Sequence, residues 1–409
     1  MAKKILMILG GSRFLFPVIE KAHELGIYVI TADYLPDNAA HQLSDEYINV
    51  SVIDKEAVLK VAKEKNIDGI SAFACDSGVV TASYVAEKMG IPFHCSYDST
   101  SILQDKEKFR NFLREHHFNC PLSVGYTSRE KALHDKDRFI WPMIVKPVDS
   151  AASKGVSKVE NAQEYDDAVA AAFEQSITKK IIIEECLDVI GYQSSTDVFT
   201  VDGAIHYPLF SDQIFDEEAT NPFVPIAEIW PTSMPVEYQK ELTSELNRLF
   251  SLLHCHNGLF NVECRMCSNH RPYIMEVSPR GGGNHIAKLQ DDAYGLNYIE
   301  NEIRSAVGLP LRLNNPKEIK GHWCSYSVHP QKYQTGRLKS VTFNDEIKNQ
   351  IQFTDMSYHS GQEISPFTGA NKALGDVILH SDTRDELSHS IALISDSLVF
   401  SSDNNTKHG

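Results

Sequence analysis

Positive charge is scarce in this 409-residue chain, in which 39 lysines and arginines stand against 55 aspartates and glutamates, a formal net charge of −16 at pH 7. Such a surface repels nucleic-acid phosphates and anionic lipids, which argues against both as partners, although a few local cations can still hold a phosphate. No apolar run approaches the roughly 20 residues of a membrane span. No signal peptide is expected, because the first residues lack a small-residue cleavage site.

Paired cysteines and two common nucleotide-binding motifs are also missing. The eight cysteines are scattered, as expected for reduced thiols in the cytoplasm. Cys264 and Cys267 form one C-x-x-C, but the second pair of a zinc ribbon is absent. The loop at residues 10–14 lacks G-x-G-x-x-G, which disfavours an NAD oxidoreductase, and no Walker A motif occurs. Any nucleotide-binding site must therefore be recognised from other sequence features.

Short apolar runs alternate with helical patterns over the first hundred residues. Strands are predicted at 5–9, 28–32 and 68–73, with helices between and after them. This alternation predicts a doubly wound parallel α/β sheet covered on both faces. Gly11 and Asp76 lie in loops at the carboxyl ends of strands, and both are candidate substrate contacts.

The middle of the chain carries features suited to a nucleotide. An apolar strand at 139–147 ends in Lys146 and a proline. The loop at 149–155 is small, hydroxyl-rich and cationic, as in loops that fold over phosphates, although a linker has the same composition. Residues 179–187 predict a buried strand that turns polar at its end. A purine can use the backbone of such a strand, but an ordinary core strand is the alternative.

Two glutamates lie on the two strands of a predicted hairpin, with a turn at residues 268–270. Glu263 and Glu276 can therefore face each other on one side of the sheet. Carboxylates facing each other among apolar residues repel one another and lose hydration unless a cation joins them. Mg²⁺ together with substrate phosphates would relieve this cost. Ion pairs with Arg265 and Arg280 are the alternative.

Together these segments resemble the ATP-grasp superfamily. The order is family-like: a lysine at a helix start, a lysine ending a strand, a small-residue loop, an acidic hinge strand and an acid hairpin with E-x-x-P-R. The resemblance is strong over about residues 100–310, weaker before them, and at 366–379 includes the terminal domain of the carboxylase-like branch. It implies an N-terminal α/β domain (1–100), an ATP-grasp domain (101–310, with a mobile lid at about 135–195) and a small C-terminal α+β domain (311–409).

The resemblance also implies a site. The residues that it assigns to the nucleotide are Lys106 and Lys146 at the phosphates, Ser153, Lys154 and Gly155 in the closing loop, Glu184, Glu185 and Leu187 at the adenine hinge, and Gln193 near the ribose, where a glutamate is common. The residues that it assigns to metal are Glu263, Glu276 and Ser278, the last of which stands where the family usually has asparagine. Arg280 matches the arginine that steadies the transferring phosphoryl group. The expected catalytic residues are Arg280, Lys146 and His285, and the expected substrate contacts are Gly11, Asp76 and Asn284.

The implied activity is that of a carboxylate–amine ligase. The terminal phosphoryl group of ATP passes to a small-molecule carboxylate, and an amine attacks the acyl phosphate, with release of ADP and phosphate. ATP and one or two Mg²⁺ ions, which Mn²⁺ can replace, are the expected cofactors, and a homodimer is the expected assembly. A bicarbonate-activating carboxylase or carbamoyl-phosphate-type enzyme and a non-catalytic nucleotide-binding protein stay open as alternatives. The acidic residues Asp212, Asp216, Glu217 and Glu218 predict a solvated loop near the cleft. The shape of the substrate pocket is expected to depend on loops such as 205–230.

Overall fold

A computed structural model of the protein describes residues 3–149, 154–334, 336–395 and 397–400. The chain begins with a parallel sheet in the order β3-β2-β1-β4. Its elements are β1 (Ile5–Leu9), α1 (Phe16–Glu24), β2 (Tyr28–Asp33), β3 (Glu46–Asn49), α2 (Lys55–Lys65), β4 (Gly69–Ser71) and α3 (Asp76–Met89). None of the helices in the described part of the chain has both the length and the apolarity that a membrane span requires.

Helices cover both faces of this parallel sheet. Successive residues of β1 point to opposite sides, so that Leu6 and Ile8 enter one apolar cluster while Met7 and Leu9 enter another. The predicted doubly wound α/β fold is therefore confirmed. The short edge strand β3 was not predicted, because its half-buried sequence carries little apolar signal.

A four-stranded antiparallel sheet follows, in the order β5-β8-β6-β7. Its elements and the two helices before it are α4 (Tyr97–Gln104), α5 (Lys106–Glu115), β5 (Ser123–Tyr126), α6 (Arg129–His134), β6 (Met143–Pro147), β7 (Ser157–Val159), α7 (Ala162–Gln175) and β8 (Ile181–Glu185). The isoleucine-rich β8 is a central strand, paired on both sides. The ends of β6 and β8 bring Lys146 and Glu184 onto one wall.

A second antiparallel sheet, in the order β10-β9-β13-β14, contains the predicted hairpin. Its elements are β9 (Ser194–Val201), β10 (Ala204–Ile205), α8 (Val236–Leu252), β13 (Gly258–Met266) and β14 (Pro272–Ser278). Helix α8 packs Leu242, Leu246 and Leu249 into the apolar cluster that also contains Val262 and Val277 of the hairpin. One face of the acid-bearing hairpin is thus packed into the apolar core.

The largest sheet has the order β11-β12-β15-β18-β17 and is antiparallel throughout. The remaining elements are β11 (Asp212–Phe215), β12 (Pro225–Trp230), α9 (Ile286–Tyr294), α10 (Tyr298–Ala306), β15 (His322–Val328), β16 (Leu338–Val341), β17 (Ile351–Met356), β18 (Gly375–Ser381), α11 (Arg384–Ser395) and β19 (Leu398–Phe400). This sheet joins strands from both sides of residue 310, where the sequence predicted a domain boundary. The domain limits stay predictions.

The prediction of a solvated acidic loop is wrong for Asp212, whereas Glu217 and Glu218 are exposed residues between β11 and β12. Asp212 is 1% exposed. Its carboxylate accepts hydrogen bonds from Thr232 and Ser233 and pairs with Arg384 at 2.6 Å. The sequence did not indicate that Asp212 is buried, because the arginine that pairs with it lies on a helix 172 residues away.

Candidate active site

A cavity of about 370 Å³ lies between the β6–β8 wall and the β13–β14 hairpin. Ten of the residues predicted from the sequence line it: Asp76, Lys106, Lys146, Glu184, Glu185, Leu187, Gln193, Glu263, Glu276 and Arg280. Eight of these are charged, and they come from α3, α5, β6, β8, β13, β14 and the segment after β14. The structure therefore brings most of the predicted site together.

The two hairpin glutamates face each other. Glu263 and Glu276 are directly paired across β13 and β14, and both line the cavity. Burial and the neighbouring Glu276 raise the pKa of Glu263. Within the described residues neither Arg265 nor Arg280 lies within 4.0 Å of these carboxylates as an ion-pair partner, which weakens the salt-bridge alternative.

This carboxylate pair suits a hard divalent cation. Mg²⁺ binds carboxylate oxygens and keeps the rest of its shell for water and substrate phosphates. The described residues contain no group of three or more histidine, cysteine, aspartate or glutamate side chains placed to hold a metal. A metal held by two protein carboxylates would therefore need phosphate oxygens or water to complete its coordination.

Lys106 reaches the pair from the start of α5. The Asp105 side chain caps this helix by accepting hydrogen bonds from the N–H groups of Glu107 and Lys108, which fixes Lys106 in the first turn. The Lys106 ammonium lies 3.4 Å from Glu276. Burial opposes its charge, but Glu276 outweighs burial and raises the pKa of Lys106. The lysine stays charged beside the inferred phosphate position.

Lys146 is held by a buried network that the sequence did not reveal. Glu184 accepts from Lys146 at 2.5 Å through Oε2 and from Arg110 at 2.6 Å through Oε1. Burial alone would raise the pKa of Glu184, but Arg110 and Lys146 lower it to about 2. Burial, together with the charges of Arg110 and Lys106, lowers the pKa of Lys146.

Glu184 thus has both carboxylate oxygens engaged within the protein. Contact with adenine through its side chain has no support in this arrangement. The residues that follow, Glu185 to Leu187, line the cavity, and their hinge role stays a prediction. Arg110 also donates to the carbonyl of Met275 at 2.8 Å. Nothing in the sequence singled out Arg110, because its partner lies 74 residues away.

Arg280 is anchored at the other end of the cavity by Asp76. Nε of Arg280 donates to Asp76 at 2.8 Å, and Nη2 lies 2.6 Å from the same oxygen. Burial opposes the charge of Asp76, yet Arg280 and the Ser278 hydroxyl hold the pKa of Asp76 below its ordinary value. The predicted substrate contact Asp76 is therefore first an anchor for Arg280.

Ser278, a predicted metal ligand, is occupied by protein partners. Its hydroxyl donates to Asp76 at 3.0 Å and accepts from Gln104 at 2.7 Å. The side chain is 1% exposed and does not line the cavity. Metal ligation by Ser278 is an expectation that this geometry does not support.

The predicted catalytic residue His285 also stays outside the cavity lining. Its Nε2 lies 2.7 Å from Asp355, and its ring contacts Phe14 and Phe353 edge-on. His285 Nδ1 is buried without a hydrogen-bond partner among the described residues. The carbonyl of Asn284 accepts from Ser325, so that both residues pack against the largest sheet.

Gly11, Lys154 and Gly155 are not among the residues that line the cavity, whereas Gln193 is. Gly11 packs so closely on the 39–42 turn that a Cβ there would lie 2.5 Å from Cε1 of His41. Gly155 takes a left-handed conformation with φ of 71°. Ser153 lies outside the described residues. Gln193 donates to Gln213.

Asp197 supports the glycine run after Arg280 and was missed in the sequence. Its carboxylate accepts from the N–H of Gly282 at 2.9 Å and from the Asn261 amide at 2.9 Å. Burial raises the pKa of Asp197 to about 6. The sequence of β9 is itself largely polar before Val198, so Asp197 did not stand out from its neighbours. The other lining residues, to which the sequence resemblance assigned no role, are Ile144, Pro147, Val156, Lys158, Cys186, Gln213, Phe215, Phe223, Pro225, Asn261, Arg265, Met275 and Ala370.

Comparisons with known proteins agree with this geometry. Residues 139–288 match the protein-family model of the ATP-grasp domain. A formate-dependent phosphoribosylglycinamide formyltransferase from Synechococcus sp. (strain CC9311) is 26% identical over 312 residues, which cover 75% of this chain and 77% of that protein.

Solved structures with the same fold extend over nearly the whole chain. The L-amino acid ligase from Bacillus licheniformis superposes with a TM-score of 0.80 at 18% identity, covering 98% of this chain and 100% of that one. The phosphoribosylglycinamide synthetase from Anaerococcus prevotii gives a TM-score of 0.77 at 19% identity, covering 98% and 100%. At these identities the likeness establishes the fold.

Proposed function

The chain carries an ATP-grasp domain, and from this premise we propose that the protein is an ATP-dependent carboxylate–amine ligase that releases ADP and phosphate. The observation that carries the proposal is the direct pairing of Glu263 with Glu276 on a cavity that also receives Lys106, Lys146 and Arg280. A pair of acids and three cations around one cavity suits a metal-bound triphosphate and an anionic acceptor.

The cations address the main obstacle of the reaction. A carboxylate that attacks the terminal phosphorus of ATP brings like charges together, so that catalysis consists mainly of positioning and charge neutralisation. Lys106 and Lys146 would offset charge on the phosphates, and Arg280 would offset charge on the transferring group. Mg²⁺, held by Glu263 and Glu276, would act as a Lewis acid on the phosphate oxygens.

The second half of the reaction takes place at the Arg280 end of the cavity. The amine attacks the carbonyl carbon of the acyl phosphate, the C–O bond to phosphate breaks, and the amine loses a proton. Arg280, held by Asp76 and followed by the Gly281–Gly283 run, suits contact with the departing phosphate. We propose that the sheet of β5–β8 closes over the cavity and protects the acyl phosphate from water.

Small molecules are the substrates in this proposal. The names of the relatives specify formate and a glycinamide ribonucleotide for one and L-amino acids for another, which makes short carboxylates and amino acids the first candidates. All eight cysteines are free thiols, which supports a cytoplasmic location. A homodimer stays a prediction.

The test identifies the nucleotide products. The protein is incubated with Mg²⁺, ATP and pools of carboxylates, with and without amino acids or bicarbonate, and ADP, AMP, phosphate and pyrophosphate are quantified. Hydroxylamine is added in parallel, because it converts an acyl phosphate into a hydroxamate without a natural amine. We expect ADP and phosphate whose formation depends on a carboxylate. Glu276→Gln, prepared identically, controls for contaminating ATPases.

Each of the other outcomes would favour a different function for the protein. AMP with pyrophosphate would contradict the acyl-phosphate route. ADP formation that depends on bicarbonate alone would favour the carboxylase alternative. Tight binding of MgADP without turnover in any pool would favour the non-catalytic alternative.

A further inference from the structure

Arg265 is a cavity-lining arginine that the sequence resemblance does not assign. It lies on β13 two residues after Glu263, so both side chains point to the same face, and Arg265 lines the cavity. Its Nε is buried and has no hydrogen-bond partner among the described residues. The guanidinium also forms no ion pair within the described part of the chain. Its charge partly offsets the rise that burial causes in the pKa of the neighbouring Glu263, but Nε is left at the cavity wall with a hydrogen bond still to donate.

The register of β13 shows which end of the cavity Arg265 occupies. Asn261, Glu263 and Arg265 follow one another along the cavity face at about 7 Å intervals. Asn261 bonds Asp197, which holds the glycine run beside Arg280. Arg265 thus lies at the opposite end from Arg280, with the glutamate pair between them.

That opposite end adjoins the hinge. The N–H of Ile190 donates to the carbonyl of Met266 at 2.9 Å, and the N–H of Ser268 donates to the carbonyl of Asp188 at 2.8 Å. Residues 188–190 directly follow Leu187 and are thereby bonded to the end of β13. At the phosphate end, Lys106 and a metal held by the glutamate pair would already offset the negative charge. At the hinge end, Arg265 is the charged residue that β13 contributes to the cavity.

We propose that Arg265 contacts the nucleoside half of the bound nucleotide, with its planar guanidinium against the purine ring. The inference deepens the proposed function and rests on it. A guanidinium stacks on aromatic faces and is less strongly hydrated than an ammonium, so that a purine can replace its water at low cost. Nucleobases offer such a face irrespective of their edge groups.

Calorimetric binding of two probes to the full chain tests this placement. The probes are MgADP, which has a nucleoside, and magnesium tripolyphosphate, which has only the phosphates. We expect Arg265→Met to weaken MgADP binding about 3- to 30-fold and to change tripolyphosphate binding less than about twofold. Arg265→Lys keeps the charge but loses the plane, and we expect it to bind MgADP with intermediate affinity. Arg312→Met, at an exposed arginine, is the matched control.

A thermal melt without nucleotide separates binding from structure. Removal of an unpaired, partly buried cation should leave the melting temperature of Arg265→Met unchanged or raised, because the protein no longer bears the cost of desolvating it. A lowered melting temperature with equal losses for both probes would assign Arg265 a structural role, and an unchanged affinity for MgADP would overturn the inference. Failure of the wild type to bind MgADP would instead refute the proposed function.

Discussion

At the scale of single residues, the site depends on buried charges that hold one another. Lys146 would be poorly positioned as a free, flexible ammonium. Glu184 accepts from it at 2.5 Å, and Arg110 fixes Glu184 from the other side. Because burial lowers the pKa of Lys146, the carboxylate also helps to keep the lysine charged. Glu184 and Arg110 thus hold Lys146 in place at the cavity wall, where we propose that it contacts phosphate.

Loss of a single charge at the phosphate centre should reduce turnover strongly. We expect Lys146→Met and Glu276→Gln each to lower the rate of carboxylate-dependent ADP release by about 10²–10³-fold, as for the loss of one preorganised transition-state contact. Lys348→Met, at an exposed lysine paired with Asp345, is the control. Near-normal turnover in either cavity variant, with an unchanged melting temperature, would contradict the assignment.

Glu184 should also determine part of the acid stability. Its pKa is about 2 in the folded protein against an ordinary value of 4.5, so its stabilising effect is complete above about pH 4.5 and disappears as the pH falls towards 2. We expect the wild type to exceed Glu184→Gln in free energy of unfolding by a constant margin from pH 7 to pH 5, and by a shrinking margin below. Urea unfolding from pH 7 to pH 3 measures this difference.

The exposed neighbour Glu185 provides the control for this experiment. The free energy of unfolding of Glu185→Gln should differ little from that of the wild type at every pH, because an exposed carboxylate contributes little to stability. If the difference in free energy of unfolding between the wild type and Glu184→Gln grows below pH 5, the carboxylate is not held in its charged form.

At the scale of elements, the β13–β14 hairpin and the turn after it arrange the chemistry. Antiparallel pairing puts Glu263 opposite Glu276, and the chain then leaves β14 through Arg280 into the glycine run. The run passes close to the parallel sheet: the carbonyl of Gly281 accepts from Ala74, and a Cβ at this position would lie 2.3 Å from Cε2 of Phe73. The position of Arg280 therefore depends on the absence of a side chain at 281.

Two glycines of this run make a matched pair for a test. Gly281→Ala should displace the segment after Arg280 and lower carboxylate-dependent turnover by about 10- to 100-fold, the effect expected for a misplacement near 1 Å. Gly283→Ala should be tolerated, because its Cβ would meet only Phe14 at 3.4 Å. Steady-state rates for both variants decide the matter, and equal effects would refute the packing argument.

At the scale of the whole molecule, Arg13 ties the first sheet to the last. It lies in the loop after β1, yet it pairs with Asp376 of β18 and lies 2.9 Å from Asp355 of β17. Both aspartates are buried, and Asp355 also holds His285. The contacts of Arg13 and of His285 therefore join three distant parts of the chain beside the Arg280 end of the cavity.

Removal of this arginine should weaken the assembly of the molecule. We expect Arg13→Met to lower the free energy of unfolding by about 3 kcal/mol, because two buried carboxylates lose their cation. The double variant Arg13→Met/Asp376→Asn should recover part of the loss, with a coupling of about 1–3 kcal/mol. Chemical unfolding of the two single variants and the double variant measures the coupling. Strictly additive losses would show that the pair does not interact.

The sequence by itself determined the features that depend on local pattern. Alternation of apolar runs fixed the parallel sheet, and a period of two along β13 and β14 placed Glu263 and Glu276 on one face, because side chains of a strand alternate in direction. Local pattern also placed Lys106 at the start of a helix and Lys146 at the end of a strand, and the resemblance to the ATP-grasp superfamily implied their position at the phosphates.

Only the tertiary structure decided which partner each polar group takes. Glu184 pairs with Arg110 across 74 residues, Ser278 with Asp76 across 202, and His285 with Asp355 across 70. Burial and periodicity are encoded locally, but the free energy of a buried charge depends on a partner that a distant segment supplies. For this reason the sequence predicted the chemical groups of the site, whereas the packing decided which of them face the cavity.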